Sequence, residues 1–316
     1  MDARDSHPVS RKDSNRSVRG IETILALTDL SKHARLAVRR ASRLASQHDA
    51  ALRLVHVVPP AVLPPARAWL EARELRAQIA DAKSALRALA AEATEHCAIQ
   101  VGTQVLAGAL LDEILRESDA ADLLVLGARG LHPIRHALLG TTAKRLLTKC
   151  ERPMLVVKQD AKPSYRRILV PVDLNDDADT TLQAVLALAP DAEIHVLHAY
   201  EVAFEGKLRM AGVGQARIRE YRQAARAKAQ ARLMAMVARQ ERGTLRFHRH
   251  LQRGHAGRVI RTLAARIDVD LIVMSKRSRS KLEDVLLGSV TEQAVTDARC
   301  DVLVLPMLPG DAAASR

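Results

Sequence analysis

Two stretches decide the fold: Ile24-Leu25-Ala26-Leu27-Thr28-Asp29 and, 144 residues on, Ile168-Leu169-Val170-Pro171-Val172-Asp173. Each is a short apolar run that closes on an acid, and the repetition continues outward from it. Leu54-Val55-His56-Val57 returns as Val196-Leu197-His198-Ala199, and Val105-Leu106-Ala107-Gly108 as Leu251-Gln252-Arg253-Gly254. Asp122-Leu123-Leu124-Val125-Leu126 returns as Asp270-Leu271-Ile272-Val273-Met274, and Leu138-Leu139-Gly140-Thr141 as Leu286-Leu287-Gly288-Ser289. The spacing drifts between 142 and 148 residues, as small loop insertions would produce. The chain therefore reads as one domain written twice.

Within each copy, apolar runs of strand length alternate with segments of helical period, the pattern of βαβ units that build a parallel sheet. Strands are expected near 22–28, 51–57, 98–105, 122–126 and 153–157, and again near 167–172, 193–199, 245–251, 270–274 and 301–305. Helices are expected near 32–47, 66–95, 109–119 and 141–149, then 177–189, 214–240, 256–266 and 289–298. The expected fold class is α/β: two tandem, doubly wound, five-stranded parallel-sheet domains. Residues 1–20 read as a polar tail, 21–157 as the first domain, and 158–166, with Pro163 and Ser164, as a linker. The second domain spans 167–306 and a tail 307–316.

Composition narrows the function. Of the 316 residues, 49 are Lys or Arg and 36 Asp or Glu, a formal charge of +13 that attracts anions without choosing among them. One Trp, three Tyr and two Phe argue against a protein that stacks nucleic-acid bases on aromatic rings. No apolar run is long enough to span a membrane, and the opening MDARDSHPVSRKDSNRS lacks an apolar leader core, so a cytoplasmic protein without a membrane partner is expected. Cys97, Cys150 and Cys300 are far apart with no CxxC, which points to neither a disulfide framework nor a thiolate zinc site.

The chemistry gathers after the strand ending at Leu126. There Gly127-Ala128-Arg129-Gly130 is followed by nine residues and then Gly140-Thr141-Thr142, a G-x2-G-x9-G-T pattern. Glycines let backbone N–H groups approach a phosphate closely, and a helix opening at Gly140-Thr141 offers free N–H donors at its positive end. Glycines at such spacings also serve as plain turns. Location after the fourth strand, where doubly wound sheets bind ligands, favours the phosphate reading.

This succession, with Asp29 closing the first strand, resembles the universal stress protein family, over residues 21–306 as two tandem copies. The resemblance implies a five-stranded parallel fold and, for members with the glycine motif, binding of ATP, with Mg as the accompanying ion. It implies that Gly127, Gly130, Gly140, Thr141 and Thr142 hold the phosphates and ribose, that Asp29 contacts the nucleoside and that Val57 lines the adenine site. Arg129 can add charge neutralisation at the phosphates. In the second copy Ser275 and Ser278 replace the first two glycines, while Asp173, Gly288 and Ser289 remain. A Cβ at each former glycine restricts the backbone and crowds a phosphate, so the second site is expected to bind weakly or not at all. Lys276, Arg277, Arg279 and Lys281 nevertheless place four cations in that loop, either to hold another anion or as a solvated surface.

No G-x4-G-K-[ST], G-x-S-x-G or H-E-x-x-H run occurs. The first glycine loop carries Arg129, His132, Arg135 and His136 but no carboxylate to aim a water, so slow or absent hydrolysis is expected and no catalytic residue is assigned. Asp29 can equally cap the helix starting near Lys32. His248 and His250 share a strand face, as a metal pair requires, and His255 follows; without a third ligand of known proximity no metal is expected. His56 and His198 hold equivalent places, which favours a shared structural or site-wall role.

The expected function is an ATP-binding regulatory protein of the stress response. By the same resemblance, Met154 to Val157 and Val302 to Leu305 pair within one chain as an internal pseudo-dimer, with protein partners and further homo-oligomers left open. The alternative is a basic interaction protein whose nucleotide site is vestigial and whose surface docks on acidic protein or nucleic acid, though no nucleic-acid motif supports it.

Overall fold

The computed structural model describes residues 20–32, 34–59, 68–128, 139–174, 178–202, 205–240, 247–276 and 287–306. In the first half the elements are β1 (Thr23–Leu27), α1 (Ala34–His48), β2 (Ala51–Val58), α2 (Ala68–His96), β3 (Val101–Ala107), α3 (Leu110–Ser118), β4 (Leu123–Gly127), α4 (Thr141–Lys149) and β5 (Met154–Val157). The second half has β6 (Arg167–Pro171), α5 (Ala178–Leu188), β7 (Glu193–Tyr200), α6 (Glu205–Met210), α7 (Gln215–Gln240), β8 (Phe247–Arg253), α8 (Ala256–Arg266), β9 (Leu271–Ser275), α9 (Ser289–Asp297) and β10 (Asp301–Leu305).

The ten strands form one sheet in the order β3-β2-β1-β4-β5-β10-β9-β6-β7-β8. Each half is parallel, and the halves join where β5 and β10 run antiparallel. Leu155 pairs with Leu303, its own counterpart in the second copy, with Met154 opposite Val304 and Val156 opposite Val302. A pseudo-twofold axis therefore passes through this pair. In each half the strand order reverses at the first strand, between β1 and β4 and between β6 and β9, leaving the crevice at the carboxyl ends where such sheets take ligands.

Strand apolarity follows from double coverage. Ile24, Val125, Leu155, Ile168, Val273 and Leu303 pack on one face, and Leu25, Leu124, Val156, Leu169, Ile272 and Val302 on the other. Helices cover both, so neither face alternates with solvent. Helix α1 shows why the covering layer forms: Ala34, Ala37, Val38, Ala41, Leu44 and Ala45 are buried at spacings of three and four, and the Ser31 hydroxyl oxygen accepts the Ala34 N–H at 3.2 Å at the start of the helix. Asp122 and Asp270 play one role twice. The Asp122 carboxylate accepts the N–H groups of Glu22 and Thr23, and that of Asp270 those of Arg166 and Arg167, tying the start of each first strand.

The segment 158–166 is held against the second half. Lys158 and Gln159 donate backbone N–H groups to Asp301, and the Tyr165 hydroxyl donates to the same carboxylate at 2.8 Å. The edge strand β3 starts three residues later than its sequence suggests, because VGTQVLA is half exposed and no continuous apolar run marks its end, whereas the expected start of β8 at 245 lies outside the described residues. The short helix α6 was not expected; at six residues it has no room to show a period. The expected tails lie outside the described residues apart from Gly20. Among the described residues no helix is long and apolar enough to cross a membrane.

Candidate functional site

The first-copy site is built where β1, β2 and β4 end. Thr28 continues from β1, its N–H bonding Val55 O at 3.0 Å, and Asp29 follows half-buried. Thr28 Oγ1 accepts the Leu30 N–H and Asp29 Oδ1 accepts the Ser31 N–H, each at 3.0 Å. These bonds hold Leu30 at φ 63°, a left-handed conformation that leucine adopts at a cost; its counterpart Leu174, after Asp173, sits at φ 40°. Both copies thus spend strain on the same turn. One Asp29 carboxylate oxygen makes a turn with the Ser31 N–H, and the Ala34 N–H at the start of α1 bonds Ser31 Oγ.

His56 Nδ1 lies 2.8 Å from Thr28 O, and His198 Nδ1 lies 2.9 Å from Val172 O. A carbonyl can only accept, so each ring donates Nδ1–H and pins the end of its first strand. The shared role of the two histidines is structural. Val57 is buried at the end of β2, in the apolar cluster that also holds Leu126, Ala128 and Ala143.

Gly127 ends β4 opposite Val157. Ala128 N–H bonds Val157 O at 2.9 Å, and Gly140 N–H returns to Ala128 O at 2.9 Å, so the two ends of the glycine loop are clasped together. Arg129 and Gly130, with His132, Arg135 and His136, lie outside the described residues. Gly140 is the N-cap of α4 with φ −68° and no side-chain cap, and no acid occupies the first turn. The N–H groups of that turn therefore point out of the helix without a side-chain carboxylate to satisfy them, an arrangement suited to an anion. Among the described residues the atom nearest a Cβ on Gly140 would be Ala128 O at 3.7 Å, and its φ of −68° is open to any residue. Ala128 and Val157 also line a cleft of about 920 Å³ whose opposite wall includes Arg261, Asp297 and Cys300 of the second half.

The second copy repeats the scaffold with different chemistry. Asp173 is exposed, Gly288 caps α9 as Gly140 caps α4, and Lys276 N–H bonds Leu305 O just as Ala128 bonds Val157. The Lys276 side chain, however, turns into the interface, where Nζ donates to the Cys150 carbonyl at the end of α4. Burial lowers its pKa. That removes one of the four cations expected to face an anion; Arg277, Ser278, Arg279 and Lys281 lie outside the described residues. Ser275 ends β9 and Ser289 opens α9.

Other groups tie the halves together. Arg40 on α1 and Asp301 at the start of β10, both buried, form an ion pair at 3.2 Å, and the guanidinium lies 4.2 Å from the centre of the Tyr165 ring. Burial pushes the Tyr165 hydroxyl well up, with Asp301 adding to the effect, so it acts as a donor. The three cysteines are free, and burial, with Asp301 beside it, pushes the Cys300 thiol up to about 12. A thiol so held is not a nucleophile at neutral pH. Sequence reading missed Arg40 and Tyr165, since nothing local marks either for a partner on a distant strand.

A model of the universal stress protein family matches the sequence twice, over residues 20–158 and 164–306. The chain is similar to a universal stress protein of Mycolicibacterium smegmatis, 26% identical over 300 residues that cover 89% of this chain and 96% of that one. Its structure is similar to that of a universal stress protein from Archaeoglobus fulgidus, with a TM-score of 0.64 at 18% identity, covering 90% of this chain and 98% of that one. A functionally unknown protein from Pseudomonas aeruginosa gives a TM-score of 0.60 at 20% identity, covering 94% and 96%. At such identities the two structures bear on the fold alone.

Proposed function

The chain belongs to the universal stress protein family as two tandem copies, and from that premise we propose that it is an ATP-binding regulatory protein of the stress response. The nucleotide is held mainly by the first copy, with little or no hydrolysis, and the protein acts in the cytoplasm as an internal pseudo-dimer. The observation that carries the reading is the open N-terminus of α4: Gly140 caps it with no side chain, no acid enters its first turn, and the clasp from Gly140 to Ala128 holds it beside the end of β4.

In this reading Gly127, Gly130, Gly140, Thr141 and Thr142 take the phosphates and ribose, Arg129 neutralises phosphate charge, Asp29 contacts the nucleoside and Val57 lines the base. ATP brings its own Mg ion. Among the described residues a Cβ on Gly140 meets only Ala128 O at 3.7 Å, and close approach of a ligand is the reason this reading gives for glycine. The second site, with Asp173, Ser275, Ser278, Gly288 and Ser289, is degenerate.

The test is isothermal titration of nucleotide-stripped protein with Mg-ATP, alongside a phosphate-release assay. One site per chain, lost in Gly140→Val while the circular dichroism spectrum is kept, supports the reading. Two equal sites would overturn the division of labour between the copies, and no site would transfer the argument to the charge of +13 and docking on acidic partners. Salt-steep retention on nucleic acid or acidic protein then becomes the expected behaviour.

A further inference from the structure

On the outer strands of the second half, the parallel register sets His195 of β7 beside His248 of β8 and Leu197 beside His250. Residues two apart on a strand share a face, so Glu193, His195, His248 and His250 all project from the same side of the sheet. The rings of His195 and His248 stack with centroids 4.6 Å apart, and His195 Nδ1 lies 3.0 Å from His250 Nε2. One donor atom from each of Glu193, His195 and His248 can be chosen so that all three lie within 4.8 Å of one another.

We infer that the second copy carries a site for a first-row divalent transition-metal ion, zinc by its donor set, built by Glu193 and His195 on β7 and His248 on β8. Two imidazoles and a carboxylate suit zinc and leave a fourth position for water, whereas magnesium and calcium ask for oxygen alone. His250 positions the central ligand: when His195 donates Nδ1–H to His250, the ring is oriented and its other nitrogen keeps its lone pair. That nitrogen, Nε2, is buried and has no hydrogen-bond partner among the described residues, on a residue only 7% exposed. A buried polar atom left in this way points to something that completes it.

The first copy supplies an internal control. The places of His195, His248 and His250 are taken there by Arg53, Gly102 and Gln104. Arg53 bonds Gln104 Oε1 at 2.8 Å and pairs with Glu117, which closes the spot with charges of its own. Imidazoles replace that network in the second copy alone. Burial also keeps the His195 ring neutral at ordinary pH, the state a metal ligand needs. Among the described residues Arg167 and Arg266 are the cations that act on the cluster, and Arg167 is held by Asp268 and the Ile267 carbonyl. Glu193 also borders a cleft of about 950 Å³, and His248 is exposed, so two of the three ligands can be reached from solvent. Tetrahedral zinc sets its ligand atoms about 3.3 Å apart, so the group must draw in by at most about 1.5 Å and the exposed His248 ring must turn out of its stack on His195 for both in-plane lone pairs to meet at the ion.

The experiment is competition of tag-free, chelator-stripped full-length chain with a chromophoric chelator for zinc, in the absence of nucleotide. Wild type is expected to take one zinc per chain. His248→Ala and Glu193→Gln, both at positions outside the core, are expected to weaken binding at least about tenfold while His255→Ala leaves it unchanged. X-ray absorption of the loaded protein should report imidazole nitrogens in the first shell. No zinc in wild type, or the same affinity in His248→Ala, overturns the assignment.

Discussion

Lys144 and Glu292 occupy the same place in the two copies, 148 residues apart, and form an ion pair with each other across the pseudo-twofold axis. In a symmetric pair of identical domains one residue type would face itself there, and like charges would repel. Duplication within one chain frees the two positions to differ, and here they carry opposite signs. The axis through Leu155 and Leu303 is thus obeyed by the backbone and broken by the side chains.

That broken symmetry has a modest expected value. Both partners are substantially exposed, so Lys144→Glu should cost no more than about 1 kcal/mol, and the double swap with Glu292→Lys should recover most of it. Urea unfolding of the four-member cycle measures this; additive losses would deny the coupling.

Arg40 and Asp301 should matter far more, being 1% and 0% exposed. Their counterparts in the repeat are Ala184 and Pro153, so the pair occurs on one side of the axis only. Arg40→Ala leaves a buried carboxylate without its cation and should cost about 3–5 kcal/mol. Arg40→Lys should recover little, because the guanidinium also lies over Tyr165. A loss below about 1 kcal/mol in thermal unfolding would contradict this.

Gly140 separates binding from folding. Since among the described residues a Cβ there meets only Ala128 O at 3.7 Å, Gly140→Ala should change stability by less than about 1 kcal/mol. Gly140→Val should fold and lose at least about tenfold in ATP affinity. Calorimetry of unfolding and of ATP binding on the same samples checks both halves of the statement.

His195 should make the protein acid-sensitive in a defined window. Burial, reinforced by the neighbouring charges of His248 and His250, pushes its pKa down from 6.5 to about 4. Between those values the unfolded chain binds a proton that the folded chain refuses. The contribution to stability is therefore full above about pH 6.5 and is lost as pH falls toward 4, by up to about 3 kcal/mol. In chelator, His195→Leu should flatten this part of the pH–stability curve; an unchanged slope would place the acid loss elsewhere. Any bound zinc would steepen the wild-type dependence, because protons compete for the same nitrogens.

The duplication, the alternation of strands and helices and the glycine segment were legible because apolar runs such as Leu123 to Leu126 and periods such as that of α1 are local, repeated signals. Edge strands blurred at their ends because half-exposed strands such as VGTQVLA carry no such run, and α6 is too short to show a period. Of the proposed nucleotide residues, the motif itself marked Gly127, Gly130, Gly140, Thr141 and Thr142, while Asp29 and Val57 were assigned through the family resemblance. Only the fold revealed that Gly140 is unconstrained by its own backbone, and that Lys276 serves the interface through Cys150.

The sequence by itself determined the class of fold, its repetition and the place where a phosphate-binding loop belongs, since each is written in residues within a few positions of one another. The tertiary structure alone decided the partners: Arg40 with Asp301, Lys144 with Glu292, and Glu193 and His195 with His248. Those meetings depend on strand order and register, which join residues from 53 to 261 positions apart. No local period encodes such a distance, because it is set by how the completed sheet lays one strand beside another.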